Sequence, residues 1–289
     1  MNLYEKQFLG LDNKQPDYGD TPFIILPMPY EGGVSYGRGT ARAPDAVLDA
    51  SNYLELYDEI LELEPYCAGI ATVPPPDFGA TPEEMFVAVY NCTAELLRDN
   101  KFVFLLGGDH SISSGYAKAL LNAYPSLGVV QLDAHSDLRH EYDGSIYSHA
   151  AVMSRIHELT PHTLQIGIRS MCAEEAEKVK RENIALCTMF AFRNGVFDVD
   201  AAIEALPEHI YITVDVDCFD WSVVRSTGTP EPGGFIWDEA INLLAKLFRK
   251  KTVVGCDVVE LSYAPDDPNS PFAVAKLIYK MIGFKIVNT

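Results

Sequence analysis

Three short segments of this chain place acidic and histidine side chains directly after apolar runs. They are Gly107–Ser111, Asp133–Asp137 and Asp215–Asp220. Each preceding run has the composition of a buried strand, so the polar residues are expected at strand ends. Imidazoles and carboxylates gathered in this way suit two hard divalent cations held side by side. The leading hypothesis is therefore a site in which metal ions activate a water molecule for nucleophilic attack.

The second and third segments share a period of two residues. In Asp133, His135 and Asp137, this spacing would point all three side chains the same way if the strand continues through them. Asp215 and Asp217 repeat the pattern after another apolar run. One histidine between two carboxylates could serve two metal ions, with one carboxylate shared between them.

Two other ligand-binding motifs do not match these segments. An EF-hand calcium loop needs Gly at its sixth position and Glu at its twelfth, where this chain has Asp220 and Ser226. The Gly-Lys-Ser/Thr ending of a phosphate-binding loop does not follow Gly107 and Gly108. By parity, Asp220 falls on the other face, and we expect it to brace the loop or a ligand histidine.

The candidate ligands are two histidines and four aspartates with no thiolate. This set favours Mn²⁺, and other first-row divalent ions also fit. Four carboxylates roughly neutralise two divalent cations, and a water shared by the two ions would lose its proton near neutral pH. The six candidate metal ligands are His110, Asp133, His135, Asp137, Asp215 and Asp217.

Composition narrows the class of partner. The 289 residues carry a formal net charge of -19, which disfavours nucleic acids and anionic membranes. An acidic surface would favour small cationic molecules, although it can also serve solubility alone.

No apolar stretch approaches the roughly 20 residues that cross a bilayer. Met1–Gln15 lacks the apolar region of a signal peptide, and the six cysteines form no CxxC pair, so we expect a cytoplasmic protein.

Apolar runs alternate with helical patterns along the chain, without a repeat or a linker. Since the runs are apolar on both faces, they predict a parallel sheet covered by helices. The expected fold is a single domain, residues 1–289, with three α/β/α layers around a central, mostly parallel sheet of about eight strands. Predicted strands are Pro22–Leu26, Gly69–Val73, Phe102–Leu106, Gly128–Leu132, Thr163–Ile168, Ile184–Cys187, Ile210–Val214 and Thr252–Glu260. Predicted helices are Pro44–Leu56, Pro82–Asp99, Ser111–Ala123, Ala173–Glu182, Asp200–Leu206, Trp237–Lys250 and Pro271–Ile282.

Together the motifs resemble those of the ureohydrolase family, which includes arginase and agmatinase. The three signatures of that family look like GGDHS, DAHSD and TVDVDCFD…TGTPEPGG in this sequence, with bacterial and archaeal agmatinases as the nearest likeness. The resemblance extends from Tyr36–Thr40 to Phe272–Lys280. It implies an arginase-like fold, a dinuclear manganese centre and hydrolysis of a guanidino group to urea and an amine. It also implies a homo-oligomer, either a trimer or a hexamer.

The resemblance assigns a role to each matching residue. His110 and Asp137 would complete one manganese site, His135 and Asp217 the other, and Asp133 and Asp215 would bridge both ions. Glu260 matches the glutamate that binds the guanidinium. His149 matches the histidine that shuttles a proton to the leaving amine, although His140 is close in sequence and stays open as an alternative.

The sequence says less about the rest of the substrate, the tail that carries the guanidino group, than about the guanidino group itself. Glu141 and Asp143 suit a cationic tail, and the segment that contains Glu231 looks like that of agmatinase. Agmatine (giving putrescine) or aminopropylagmatine (giving spermidine) is therefore expected, in polyamine biosynthesis. Trp221 and Arg225 depart from the family pattern. Since Arg225 could meet a carboxylate, carboxyaminopropylagmatine, 4-guanidinobutyrate and arginine remain alternatives.

Two other classes of protein are also compatible with these residues. A deacetylase-like hydrolase on a related fold usually holds one zinc ion with fewer carboxylates. A non-catalytic binding protein could retain the same residues without turnover. Metal content separates the three hypotheses, because they expect two manganese-like ions, one zinc ion or none per chain.

Overall fold

The apolar runs of the sequence form one parallel sheet in the computed structural model, which describes residues 1–10 and 17–288. The eight strands found within these residues lie in the order β2-β1-β3-β8-β7-β4-β5-β6. Their bounds are Phe23–Met28 (β1), Ile70–Thr72 (β2), Phe102–Gly107 (β3), Leu127–Leu132 (β4), Thr163–Ile168 (β5), Ala185–Thr188 (β6), His209–Asp215 (β7) and Thr252–Val259 (β8). Of the segment Met1–Gln15, for which no signal peptide is expected, residues 11–15 lie outside the described part.

Helices cover both faces of this sheet. Side chains that alternate along each strand belong to two separate cores: Ile25, Phe104 and Val258 to one, Ile24 and Val103 to the other. The first core packs α1 and α6–α9, and the second packs α2–α5. The helices in the described residues are Ala43–Ser51 (α1), Pro82–Arg98 (α2), Ile112–Ala123 (α3), Val152–Leu159 (α4), Ala173–Glu182 (α5), Met189–Arg193 (α6), Val199–Ala205 (α7), Trp237–Lys250 (α8) and Asn269–Val287 (α9).

The predicted three-layer fold is confirmed, and every predicted strand is present. Two of the helices, α4 and α6, were not predicted from the sequence. In α4, Val152, Met153 and Ile156 form a buried stripe only two turns long. The single turn of α6 depends on one local contact, in which Thr188 Oγ1 accepts a hydrogen bond from Ala191 N at 3.1 Å.

The strand order explains how motifs far apart in sequence meet. Strands β3, β8, β7 and β4 are consecutive neighbours in the sheet, and all run in the same direction. Leu106, Val258, Val214 and Leu132 pair in register across them, so the residues that follow emerge at one edge. Ligands of open parallel sheets bind at this carboxyl edge. No helix in the described residues is both long and apolar enough to cross a membrane.

Candidate metal centre and active-site cavity

Two groups of potential metal ligands lie side by side at the carboxyl edge. His110, Asp133 and Asp137 form the first group, and Asp133, His135 and Asp217 form the second. Asp133 belongs to both groups. This is the geometry in which one carboxylate can face two cations.

The first group surrounds one ring nitrogen. His110 Nδ1 lies 3.2 Å from Asp133 Oδ2, 3.2 Å from Asp137 Oδ2 and 3.3 Å from Asp215 Oδ2. These four side chains are almost fully buried. Four potential donor atoms therefore converge within a small, buried space.

The second group is slightly more open. His135 Nδ1 lies 2.9 Å from Asp217 Oδ2 and 3.7 Å from Asp133 Oδ1. The side chain of His135 is 23% exposed, so this group lies nearer the solvent than the first. Asp217 Oδ1 is fixed by a hydrogen bond from Ala134 N at 3.0 Å.

The ligand residues leave the strands sooner than their spacing predicted. Strand β4 ends at Leu132, and Asp137 has the left-handed φ of 50°. A turn, not a continued strand, brings Asp137 back to the site. Similarly, β7 ends at Asp215 and Asp217 lies in a short 3₁₀ turn, Val216–Cys218.

The carboxylates of the two groups bring several negative charges together in a buried space. Burial, together with repulsion from Asp133, raises the pKa of Asp137 to about 7. Burial and the charges of Asp217 and Asp133 raise the pKa of Asp215 well above its usual range. Burial alone would lower the pKa of His135, but the carboxylates of Asp217 and Asp133 raise it to about 12.

These residues fit a pair of divalent cations. His110 Nδ1 and Asp217 Oδ2 are fully buried, and within the described residues neither takes part in a hydrogen bond. A buried polar atom without a partner is costly, and a bound metal ion would satisfy both. The mixture of oxygen and imidazole donors is the one that suits manganese and neighbouring first-row ions.

A buried polar network behind His110 was not predicted from the sequence. His110 Nε2 lies 2.9 Å from Thr213 Oγ1 on β7. Farther in, the carboxylate of Asp257 on β8 accepts hydrogen bonds from Tyr211 and, at 2.6 Å, from Ser113 Oγ. The signal in the sequence was an aspartate inside the apolar run of β8. Contacts of this kind fix the ring orientation and tautomer of a ligand histidine.

Glu260 directly follows β8 and has a φ of 66°. Its Oε1 accepts a hydrogen bond from His110 N at 2.7 Å, so it is tied to the first ligand group. A Cβ at Gly228 would lie 2.8 Å from Glu260 Oε2, so glycine is needed where that loop passes the carboxylate. Burial and the charge of Asp109 raise the pKa of Glu260 well above its usual range.

A cavity of about 270 Å³ opens above both ligand groups. His149 and Glu260 line it, together with Arg139 and Tyr142. His149 lies in a short 3₁₀ turn before α4. Burial lowers the pKa of its imidazole, and the positive charges of His110 and His135 add to the effect.

The alternative histidine lies elsewhere. His140 is exposed, and Arg155 Nη2 donates a hydrogen bond to its carbonyl oxygen at 3.2 Å. Within the described residues, His140 does not line the cavity. The structure thus places His149 beside the ligand groups and His140 on the surface.

The three predicted tail-binding acids are spread out. Asp143 lines a second cavity of about 180 Å³, which shares Tyr142 with the first. Glu141 is exposed, and within the described residues it lines neither cavity. Glu231 is half-buried, and its carbonyl oxygen accepts a hydrogen bond from Arg169 Nη2 at 2.8 Å.

The residues that depart from the family pattern also lie away from the cavity. Trp221 is 52% exposed. Arg225 is exposed, and its backbone N–H donates to Ser270 Oγ at 2.9 Å, near the start of α9. Asp220 Oδ1 accepts hydrogen bonds from Ser222 N at 3.0 Å and Ser222 Oγ at 2.8 Å, so it braces its own loop.

Comparison with known proteins identifies similar sequences and folds. The sequence profile described as the Arginase family matches residues 21–283. An N(1)-aminopropylagmatine ureohydrolase from Synechocystis sp. is 37% identical over 96% of this chain and 94% of its own length. An agmatinase from Pyrococcus horikoshii is 32% identical over 98% of this chain and 99% of its own length. The crystal structure of agmatine ureohydrolase from Thermoplasma volcanium superposes with a TM-score of 0.87 at 30% identity, covering 97% of this chain and 94% of that one.

Proposed function

Since this chain belongs to the arginase family, we propose that it is a dinuclear-metal hydrolase that cleaves a guanidino compound to urea and an amine. Two groups of potential ligands share Asp133, and they lie beside a cavity lined by Glu260 and His149. This arrangement is the main support for the proposal. The reaction is that of an agmatinase-type ureohydrolase, which acts on linear amidines. Residues 1–289 form its single catalytic domain.

The proposed metal ligands are the six predicted residues. His110 and Asp137 would hold one ion, His135 and Asp217 would hold the other, and Asp133 and Asp215 would be shared. We propose manganese, and other first-row divalent ions also suit these donors. Bound at these residues, two such ions supply a water activated for attack on the guanidinium carbon.

Two residues of the chain act on the substrate itself. The buried carboxylate of Glu260 binds the planar guanidinium by charge-assisted hydrogen bonds and positions its carbon. His149 delivers a proton to the leaving nitrogen, which cannot depart as an anion. Both side chains line the cavity beside the two ligand groups.

We propose a cationic tail on the substrate, as in agmatine or N1-aminopropylagmatine. The names of the relatives from Synechocystis and Pyrococcus support this choice. So does Asp143, which could bind the second ammonium group of a long substrate from the neighbouring cavity. Glu141 and Glu231 are weaker candidates for tail binding, because among the described residues neither lines the two cavities. The product amine would be putrescine or spermidine, as in polyamine biosynthesis, and we propose a cytoplasmic trimer or hexamer.

One observation favours a carboxylated substrate as a second candidate. Arg139 lines the main cavity, and its guanidinium lies 5.4 Å from the centre of the Tyr142 ring. Among the described residues it has no hydrogen bond or ion pair through its side chain. A free guanidinium is suited to a carboxylate, such as that of carboxyaminopropylagmatine, 4-guanidinobutyrate or arginine. Arg139 therefore replaces Arg225 as the residue that this candidate depends on.

Urea release by the manganese-loaded protein tests the proposal. The substrates are agmatine, N1-aminopropylagmatine, its carboxylated analogue, 4-guanidinobutyrate and arginine. We expect the two cationic-tailed substrates to give the highest kcat/KM, and Asp143→Asn to reduce it more for N1-aminopropylagmatine than for agmatine. A preference for carboxylated substrates that Arg139→Gln abolishes would favour the second candidate.

A matched variant checks the guanidinium assignment. Glu260→Gln keeps an oxygen that can accept from His110 N but removes the charge. We expect kcat/KM to fall about 10- to 100-fold, since hydrogen bonds to charged groups contribute roughly 1.5–3 kcal/mol. Metal content should not change. An unchanged kcat/KM in this variant would contradict the proposal that Glu260 binds the guanidinium.

A further inference from the structure

Both ring nitrogens of His149 lie close to hydroxyl groups of the protein. His149 Nε2 lies 2.9 Å from Ser35 Oγ, whereas Nδ1 lies 3.4 Å from Ser148 Oγ. Ser35 lines the same cavity as His149, and Ser148 lines the neighbouring one. The shorter contact therefore points from the imidazole toward the place where the substrate would bind.

The ring is also held from a third side. The Tyr142 ring meets the His149 ring edge-on, with centroids 5.5 Å apart, and its hydroxyl lies 3.4 Å from Ser35 Oγ. Ser35 thus lies between the tyrosine hydroxyl and the imidazole. Loss of its hydroxyl would remove the only close polar contact of Nε2 among the described residues and leave the ring held by Ser148 and Tyr142.

Asp109 holds Ser35 in place, although it is not one of the proposed metal ligands. Its Oδ2 accepts hydrogen bonds from Gly32 N at 2.8 Å and Gly33 N at 3.0 Å, three and two residues before Ser35. Its Oδ1 accepts from the backbone N–H of Ser111 at 3.1 Å. One fully buried carboxylate thereby joins the Ser35 loop to the segment that carries His110.

The same loop can approach His149 only because it contains glycine. A Cβ at Gly33 would lie 2.7 Å from His149 Nδ1, which is closer than side-chain atoms pack. Contact with the imidazole therefore explains the glycine at position 33.

We propose that Ser35 positions His149 and links it to the cavity as a proton relay, an inference that rests on the proposed function. The Nε2–H bond of the imidazolium breaks as that proton moves to Ser35 Oγ. The O–H bond of Ser35 breaks at the same time, and its hydrogen forms the new N–H bond of the leaving amine. Ser35 is regenerated, and one proton has moved from His149 to the product.

Steady-state kinetics on agmatine test the relay, with manganese content measured for each variant. We expect Ser35→Ala to lower kcat about 100-fold, toward the usual contribution of general acid–base catalysis, with KM and metal content unchanged. Ser35→Thr keeps a hydroxyl and should restore kcat to within a few fold of the wild type. Ser126→Ala, an exposed serine before β4 at the opposite edge of the sheet, is the matched control and should have no effect.

A double variant shows whether Ser35 acts through His149. In a His149→Ala background, Ser35→Ala should cause little further loss, because coupled residues are not additive. Fully additive losses, or a change in KM alone, would overturn the inference.

A readout without turnover separates this inference from the proposed function. Long-range ¹H–¹⁵N spectra report the protonation and hydrogen bonding of both His149 ring nitrogens. We expect the Nε2 resonance to shift in Ser35→Ala and to recover in Ser35→Thr. This result would support the contact between Ser35 and His149 even if the wild type released no urea. The absence of urea release would count against the proposed function and not against this contact. An Nε2 resonance that is the same in all three proteins would overturn the inference even in an active enzyme.

Discussion

At the scale of single residues, the site depends on Asp133 more than on any other ligand. Its two oxygens face different histidines, and each is also fixed from inside the protein. Oδ1 accepts from His135 N at 2.6 Å, and Oδ2 accepts from Gln131 Nε2 at 2.6 Å. A carboxylate fixed in this way can hold two cations at a constant separation.

Replacement of this carboxylate should therefore remove both metal ions together. We expect Asp133→Ala to lose most bound manganese and at least 1,000-fold in kcat, on the order of what a catalytic metal contributes. Metal analysis after dialysis and urea release would be measured on the same sample. Asp220→Ala, which removes a carboxylate that only braces its loop, should keep its metal. Full activity in Asp133→Ala would contradict the shared-ligand assignment.

The raised pKa of Asp137 predicts how metal-free protein responds to pH. Its folded value of about 7 lies above the usual value near 3.9, so the folded state binds this proton more tightly than the unfolded state. The resulting stability is present at acidic pH and is lost as the pH rises through about 7. Thermal midpoints of chelator-treated protein should therefore fall from about pH 4 to about pH 7 and level off above it. Manganese should abolish most of that fall, and a metal-free midpoint that rises over this range would contradict the prediction.

The sequence predicted the candidate ligands better than the residues that support them. All six predicted ligands converge, because each lies within a few residues of a strand end, where backbone direction limits where a side chain can go. Thr213 and Asp257 were missed because they lie inside strands that otherwise pack as apolar core. Ser35 carried no signal of its own, since its contact with His149 depends on a turn held by Asp109.

At the scale of elements, the site is built by four adjacent strand ends. Strands β3, β8, β7 and β4 deliver its residues in that spatial order, whereas the chain visits them in the order β3, β4, β7 and β8. The composition of each run predicted a buried parallel strand, but no local pattern encodes which strands become neighbours. The strand order follows from tertiary packing and could not be predicted from the runs alone.

Helix α2 shows where local sequence is sufficient. A capping box begins this helix: Glu84 N donates to Thr81 Oγ1 at 3.2 Å, and Thr81 N donates to Glu84 Oε2 at 3.0 Å. We expect Thr81→Ala to lower the free energy of unfolding by about 1 kcal/mol and leave kcat unchanged. Denaturant titration would measure the first and urea release the second. Thr81→Ser should be close to the wild type, and an equal loss in both variants would contradict the role of the cap.

At the scale of the whole molecule, a buried ion pair fastens the last helix to the rest of the fold. Lys280 on α9 is 1% exposed, and its Nζ lies 3.0 Å from Oδ1 of Asp58, which is fully buried. The same carboxylate oxygen accepts from Ile60 N and Leu61 N, both at 3.0 Å. The pair therefore joins α9 to the loop after α1, far along the chain.

Breaking this pair should destabilise the protein strongly without affecting catalysis. We expect Lys280→Met to cost roughly 3–5 kcal/mol, because it leaves the Asp58 carboxylate buried and unpaired. The surface pair Lys250–Asp200, at 2.9 Å, gives the control, and Lys250→Met should cost less than about 1 kcal/mol. Unfolding would be compared at one protein concentration. Similar losses for the two variants would contradict the special role of the buried pair.

The proposed chemistry requires two metal ions in every active chain. The rate of urea release from agmatine would be measured while manganese is added stepwise to metal-free protein, with bound metal determined at each step. Activity is predicted to reach its plateau at about two ions per chain, as expected for two ligand groups that share one carboxylate. A plateau at one ion per chain, or urea release from fully metal-free protein, would contradict the dinuclear mechanism.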